Sequence, residues 1–316
     1  MTNPLKPELL AITLRGNHIE TIHQGWICVL NKDKKIIYKK GNILNNVFLR
    51  SLAKPIQAIS IIESNLNVLP HELAIISGSH SGSRKHLKLL KKIIKKHKLH
   101  LNNLQCGTHI PFDKDEQKNI ILNKISLTQL HNNCSGKHLG MLAVCKKNNW
   151  DLKTYLNPSH PAQKSILKNI RELSETNKIL IATDGCGVPT FAIPVINIAK
   201  MFSNFTNSKN KKYHKIISAI CKNPFFAGGI NQIDTEIIKA SKGKLLAKVG
   251  AEGIIAVAYK GHSAVIKIAD GSQKIRSIVI LKLLIKLGWL KEKDILKSEV
   301  KNHAGKIVGK IKVLIN

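Results

Sequence analysis

Acidic residues are scarce in this chain of 316 residues: 19 Asp and Glu stand against 51 Lys and Arg, giving a formal net charge of +32. Such an excess is typical of proteins that bind nucleic acids or anionic membranes. Arginine, the cation that nucleic-acid surfaces use for bidentate and stacking contacts, accounts for only five of these residues. Aromatic residues make up 4% and are scattered, which disfavours a stacking platform for single strands. We therefore interpret the charge as a lysine background that binds nucleic acid only non-specifically.

Long apolar runs are also missing. The longest, residues 278–285, is interrupted by Lys282, so no stretch has the length of a membrane span. Residues 1–8 have neither the apolar core of a secretory signal nor the Arg-rich pattern of a transit peptide. These features predict a cytoplasmic protein without membrane contact. Its length allows a single catalytic domain over residues 1–316, alone or with a helical subdomain around residues 85–250.

Paired cysteine patterns are absent too. Six cysteines occur at irregular spacings in a long chain, which makes a disulfide framework unlikely for this sequence and leaves two interpretations. Some of them bind a metal, or all are buried structural thiols.

Strand patterns occur at both ends of the chain, with helical patterns between them. Residues 18–41 and 253–269 each predict a β-hairpin, and residues 179–182 predict a short buried strand. We expect helices over residues 51–64, 86–97 and 275–290, a helical region over residues 199–248 with a break at residues 226–229, and a last strand over residues 306–315. The order predicts an α+β fold in which N- and C-terminal strands form one antiparallel sheet with helices between them.

Ser51 and Lys54 lie three positions apart at the start of a predicted helix, so their side chains share one face. In such a pair a neutral lysine amine can accept the serine proton, and the helix N-terminus favours the negative charge that develops. Partial burial would lower the pKa of Lys54 towards the neutral form. The alternative is a serine helix cap followed by a solvated lysine, and the tetrapeptide alone fits both.

Three further loops and one strand carry reactive side chains. A Ser-His-Ser sequence lies in a polar, glycine-containing loop, where functional residues are common. A Cys-x-x-Lys-His sequence precedes a helix, an Asp-Gly-Cys sequence follows a predicted strand, and a lysine stands beside two apolar residues on a later strand. The residues are Ser79, Cys134, Lys137, His138, Asp184, Cys186 and Lys267. By spacing alone, the two cysteines fit core thiols better than zinc ligands.

In this order the stretches resemble the L-asparaginase family typified by the inducible, thermolabile rhizobial enzyme, which is unrelated to the bacterial type I and II asparaginases. The resemblance covers about residues 21–270. Further matches lie at residues 106–109, 159–163, 248–253 and 267–271. Each motif is weak alone, but the ordered set is specific.

The resemblance implies a fold similar to the serine β-lactamases and glutaminases, and a homodimer. It also implies two Ser–Lys pairs, Ser51 with Lys54 and Ser79 with Lys267. One pair would supply the nucleophile, and the other would relay protons to departing ammonia. We expect Ser51 to be the acylated serine because it lies at the helix terminus.

The family's zinc site implies a tetrahedral ion with one position open for water or substrate. By motif match, the zinc ligands are Cys134, Lys137 and Cys186. The residues expected to orient the substrate are Arg50, His138 and Asp184. Simpler interpretations also remain open, since an aspartate is common in turns and a histidine is common at a helix N-terminus.

Two positions depart from the family pattern. Arg84 follows the Ser-His-Ser stretch where an acidic residue is common, and Gln232 replaces the usual arginine before an Asp-Thr pair. Both bear on substrate or oligomer contacts and leave the proposed Ser, Lys and Cys positions unchanged.

We therefore predict an amidohydrolase that converts L-asparagine to L-aspartate and ammonia. One alternative is a glutaminase or another serine amidase, although no Lys-Thr-Gly sequence on a C-terminal strand supports a penicillin-recognising enzyme. The other is a Lys-rich nucleic-acid-binding protein on an inactive enzyme scaffold. Steep salt dependence of binding together with no amidase activity would support that second alternative.

Overall fold

A computed structural model of the chain describes residues 5–291 and 298–315. Its strands are β1 (Glu8–Arg15), β2 (His18–Leu30), β3 (Ile36–Lys40), β4 (Asn46–Phe48), β5 (Leu180–Thr183), β6 (Pro189–Pro194), β7 (Leu246–Gly250), β8 (Ile254–Tyr259), β9 (His262–Ile268), β10 (Glu299–Lys301) and β11 (Ile307–Val313). Eight of them form one sheet in the order β10-β11-β1-β2-β9-β8-β7, with β3 also paired to β2. A smaller sheet has the order β4-β6-β5.

The large sheet joins the two ends of the chain. β1 lies between β2 and β11 and pairs antiparallel with both. Both predicted hairpins form, β2 with β3 and β8 with β9. The predicted α+β fold, with N- and C-terminal strands in one antiparallel sheet, is therefore confirmed.

The helices are α1 (Lys54–Gln57), α2 (Ile59–Glu63), α3 (Pro70–Ile76), α4 (Arg84–Lys96), α5 (Lys114–Leu122), α6 (Ser135–Lys147), α7 (Pro161–Ser174), α8 (Val195–Asn207), α9 (Lys211–Lys222), α10 (Pro224–Ala227), α11 (Ile233–Ala240) and α12 (Gln273–Lys286). α8 and α12 both pack against β8 and β9. Those strands are buried along nearly their whole length, as expected when helices cover both faces of a sheet. Across the described part of the chain, no helix has the length and apolar character needed to cross a bilayer.

Helix α6 lies at the centre of the helical part, with α2, α3, α4 and α7 around it. Its residues are buried from Ser135 to Cys145. Gly136 lets α3 approach closely, because a Cβ atom there would lie only 2.4 Å from the carbonyl oxygen of Ile75. This packing places the residues of the first turn of α6 inside the protein.

Two local predictions are wrong. The region predicted to be helical over residues 199–248 has the expected break, between α10 and α11, but its helices end earlier and its last residues belong to strand β7. The strand predicted at residues 179–182 exists as β5 but is exposed, with Leu180 59% accessible, because β5 is the edge strand of the small sheet. The proposed division into a catalytic domain and a helical subdomain stays a prediction.

Candidate active site

The segment that carries Ser51 begins as a 3₁₀ helix, Arg50–Ala53, and continues through α1 and α2. Arg50 has a left-handed φ of 48°. In a residue other than glycine such a conformation costs on the order of 1–3 kcal/mol and persists only where the surroundings hold it. Here Arg50 Nε donates to Asp184 Oδ1 at 2.6 Å, and Arg50 Nη1 lies 3.9 Å from Glu252 Oε1. A strained, ion-paired arginine therefore immediately precedes Ser51.

Ser79 is the point at which two buried lysines meet. Lys54 Nζ donates to Ser79 Oγ at 2.8 Å, and Lys248 Nζ donates to the same oxygen at 3.1 Å. The two lysines are 0% and 1% exposed, whereas Ser79 is partly exposed. One accessible hydroxyl thus connects two amines that are shielded from solvent.

The two amines have different surroundings. Lys54 Nζ has the carbonyl oxygen of Asn133 at 3.3 Å, while Lys248 Nζ has the carbonyl oxygen of Val249 at 2.9 Å and Asp234 Oδ2 at 3.5 Å. Burial lowers the pKa of Lys54 below its ordinary value. Burial also lowers the pKa of Lys248, to about 8, although the Asp234 carboxylate acts in the opposite direction. Neutral lysine is therefore accessible in this site at moderate pH.

The predicted pair of Ser79 with Lys267 is not formed. Lys267 Nζ donates instead to the carbonyl oxygen of Ile268 at 2.6 Å. Its side chain lines a cavity of about 230 Å³ that Trp26, Arg50 and Glu252 also border. The amine that the resemblance assigned to Lys267 belongs to Lys248.

Strand order explains this correction. Lys267 lies on β9, and β8 separates that strand from β7. β7 is the strand beside the 3₁₀ helix, where a Cβ atom on Gly250 would lie 3.0 Å from the carbonyl oxygen of Leu49. The lysine of β7 is therefore the one that reaches Ser79. A lone lysine inside the apolar run of residues 245–249 is the sequence signal that could have identified it.

The three residues expected to bind zinc converge. The Cys134 and Cys186 thiols interact electrostatically with each other and with Lys137, while Cys134 Sγ donates to Asn133 Oδ1 at 3.3 Å. The interaction with Cys186 holds the pKa of Cys134 well below its ordinary value, and the same interaction raises the pKa of Cys186. Burial acts to lower the pKa of Lys137, but Cys134, Cys186 and Asp184 together raise it. All six cysteines are free thiols.

This donor set fits zinc only if lysine is included. In residues 5–291 and 298–315, no group of three or more His, Cys, Asp or Glu side chains is arranged to hold a metal ion. Two thiolates and the neutral amine of Lys137 would give a sulfur and nitrogen set that suits Zn²⁺ and leaves one position open. Binding would require loss of the Lys137 proton, because metal ligands are deprotonated.

Asp184 lies between the side chains of Lys137 and Cys186 and that of Arg50, the residue before Ser51. Its Oδ1 accepts the bond from Arg50, while its Oδ2 lies 3.7 Å from Lys137 Nζ and 3.6 Å from Cys186 Sγ. Burial acts to raise the pKa of Asp184, but Lys137 and Arg50 hold it below its ordinary value. The carboxylate therefore stays charged between two cations.

His138 is fully buried and turned towards Tyr155. The Tyr155 hydroxyl oxygen accepts a bond from the amide of Gln105 at 3.1 Å, and it lies 2.7 Å from His138 Nδ1. The hydroxyl proton is thus free to bond to Nδ1, while Nε2 has no partner among the described residues. Burial lowers the pKa of His138 well below its ordinary value, which keeps the ring neutral.

Comparison with known proteins places this site in a family. The model of the L-asparaginase II family matches residues 11–313, which include every residue of the site. The chain belongs to the L-asparaginase II family. Membership supports amidohydrolase activity of the asparaginase kind in general. The closer resemblance to the rhizobial enzyme stays a prediction.

Solved structures add little to this family assignment. A crystal structure from Bacteroides dorei DSM 17855, of a protein provisionally assigned as a β-lactamase, aligns with a TM-score of 0.43 and 12% sequence identity. The alignment covers 82% of this chain and 92% of that one. A TM-score and a sequence identity this low do not establish a shared fold or function. No curated protein matches the sequence significantly.

Among the described residues, neither of the two departures from the L-asparaginase II pattern noted in the sequence is hydrogen-bonded to Ser79. The Arg84 side chain is 78% exposed and donates to Asn119 Oδ1 at 2.9 Å, on helix α5. Gln232 is the residue that precedes α11, two positions before Asp234. The lysine, serine and cysteine side chains described above are arranged as they are although position 84 lacks the family's acidic residue and position 232 lacks its arginine.

Proposed function

We propose that this protein is a serine amidohydrolase that converts L-asparagine to L-aspartate and ammonia. The observation that carries the proposal is the Ser79 hydroxyl bonded to two buried lysine amines, close to the helical segment that presents Ser51. Membership of the L-asparaginase II family supports this chemistry in general. The site contains the nucleophile and the bases that amide hydrolysis needs.

Ser51 is the nucleophile in this proposal. It is partly exposed, and its hydroxyl has no hydrogen-bond partner among the described residues, so its lone pairs are free to attack. The oxygen of Ser79 already accepts bonds from two amines. No hydrogen bond joins the Ser51 hydroxyl to the Lys54 amine among the described residues, where Lys54 bonds to Ser79 and to the carbonyl oxygen of Asn133. In the proposal Lys54, one helical turn after Ser51, accepts the Ser51 proton as the neutral amine during the attack. The Ser51 amide N–H, at the start of the 3₁₀ helix, is available to stabilise the oxyanion.

Ser79 relays the proton in the second part of the reaction. The Ser51 oxygen bonds to the side-chain carbonyl carbon of asparagine, and the carbon–nitrogen bond then breaks. The proton held by Lys54 passes through the Ser79 hydroxyl to the departing nitrogen, which leaves as ammonia. Lys248 donates to Ser79 throughout and fixes its orientation. Water then attacks the ester while Lys54 accepts a proton from the water; the bond between the acyl carbon and the Ser51 oxygen breaks, Lys54 returns the proton to that oxygen, and aspartate is released.

We assign substrate binding to the neighbouring charged groups. Arg50 has a part-exposed guanidinium that suits the substrate carboxylate. Cys134, Lys137 and Cys186 would hold Zn²⁺. When bound, the ion would supply positive charge and an open coordination position close to Asp184. The homodimer implied by the family resemblance remains part of the proposal.

The test is interception of the ester. Hydroxylamine added during turnover competes with water for an acyl-enzyme, so asparagine should yield aspartyl β-hydroxamate as well as aspartate. Peptide mass mapping after rapid acid quench should find the aspartyl group on residue 51. Product from glutamine at a comparable rate would move the assignment to a glutaminase, and an aspartyl group on Ser79 would reverse the two serine roles.

A further inference from the structure

The two lysines on Ser79 differ in their counterions. Within residues 5–291 and 298–315, no carboxylate lies within ion-pair distance of Lys54. Lys248, in contrast, faces Asp234 Oδ2 at 3.5 Å. Both amines are buried to the same degree, but the group that favours the charged form is the Asp234 carboxylate for Lys248 and the Cys134 and Cys186 thiols for Lys54.

Asp234 is itself held firmly. It is the second residue of α11 and only 4% exposed. Its Oδ1 accepts the amide N–H of Thr235 at 3.0 Å, and its Oδ2 accepts the amide N–H of Val249 at 3.4 Å. A carboxylate in the first turn of a helix is stabilised by the helix dipole. The same carboxylate thus contacts the Lys248 ammonium and the backbone of the next residue of β7.

We infer that Asp234 is a positioning residue that keeps Lys248 as an ammonium ion donating to Ser79. This inference rests on the proposed function and adds a division of labour between the lysines. A charged Lys248 cannot compete with Lys54 for the serine proton. The Lys248 ammonium also keeps the Ser79 hydroxyl in the position from which it passes the proton of Lys54 to the departing nitrogen.

The charges around Lys248 determine the direction of the effect. Asp234 on α11 and Cys134 before α6 favour the ammonium form, whereas Lys54 on α1 opposes it. Arg276 on α12 is 6% exposed and interacts electrostatically with Asp234. Removing the negative charge of Asp234 therefore moves the titration of Lys248 to lower pH. Activity that requires the Lys248 ammonium form would then be lost, as pH rises, at a lower pH than in the wild type.

The test compares two charge-neutralising variants on one helix. Asp234→Asn keeps an oxygen acceptor for the backbone amides but removes the charge. Glu236→Gln removes a charge two residues away, where the carboxylate bonds to Lys239 at 3.3 Å near the surface. We expect the alkaline limb of the kcat/KM profile to move down by at least about one pH unit in Asp234→Asn and to stay in place in Glu236→Gln. Asp234→Glu should restore most of the shift.

A second measurement needs no activity. In protein labelled with ¹⁵N at lysine Nζ, the Lys248 signal is assigned by its loss in Lys248→Met and titrated in each variant. A lower midpoint in Asp234→Asn supports the inference even if the wild type releases no ammonia, a result that would refute only the proposed function. An unchanged midpoint overturns the inference. If Asp234→Asn does not fold, Asp234→Ser supplies the neutral oxygen acceptor for the same comparison.

Discussion

Replacing Lys248 by methionine is predicted to remove most of the activity. Methionine retains the unbranched apolar stem and loses the amine. That amine lies 3.1 Å from Ser79 Oγ, 2.9 Å from the carbonyl oxygen of Val249 and 3.5 Å from Asp234 Oδ2. Groups that assist proton transfer typically contribute about 10²–10⁴-fold to a rate. We therefore expect kcat for ammonia release to fall by about 10²-fold or more.

The same change should also lower stability. Removing one partner of a buried ion pair costs about 3–5 kcal/mol, because the other charge is left uncompensated. Asp234 keeps its two backbone N–H donors and can take up a proton, so we expect the low end of that range, about 3 kcal/mol. Thermal unfolding followed by circular dichroism defines a temperature at which the variant is still folded, and kinetics are measured there.

Lys267→Met is the matched control, because Lys267 lies in the same sheet and its amine bonds only to a backbone carbonyl. Its kcat should stay within about threefold of wild type, as expected for a group outside the proton path. Full activity in Lys248→Met together with a collapse in Lys267→Met would refute the assignment. It would restore the pairing predicted from sequence.

Three further results are expected. kcat/KM should fall as pH rises through about 8, because deprotonation of Lys248 removes the donor to Ser79; a profile flat to pH 10 would contradict this. Arg50→Gly should be more stable to denaturant than Arg50→Ala by about 1 kcal/mol, because only glycine adopts the φ of 48° without strain; equal stabilities would remove the strain argument. Cys134→Ala should lose bound zinc by elemental analysis, whereas Cys145→Ala, which removes a buried thiol from α6, should retain it.

The Ser51 segment shows what local sequence can predict. Apolar spacing placed a helical segment after residue 50, and the structure has three short helical pieces there. Pattern alone does not reveal the left-handed Arg50, because that conformation depends on partners such as Asp184, 134 positions away. The strain is a property of the assembled site.

The role of Lys248 could not be predicted from the local sequence. The run around it is short and apolar, and such a run fits the end of a helix as well as a strand. Its role depends on β7 lying beside the 3₁₀ helix and on a contact with Ser79 across 169 positions. The convergence of Cys134 with Cys186 is a similar case, since only the family resemblance suggested it. Spacing alone favoured core thiols over metal ligands.

The most direct test of the account is ammonia release from L-asparagine by the purified protein beside Ser51→Ala. Ser60→Ala serves as the control, because its hydroxyl bonds only to the carbonyl oxygen of Gln57. We expect steady release by the wild type and Ser60→Ala, and a loss of at least about 10³-fold in Ser51→Ala. Release by folded Ser51→Ala at the wild-type rate would contradict the nucleophile. No release by any of the three folded proteins would contradict the proposed reaction itself.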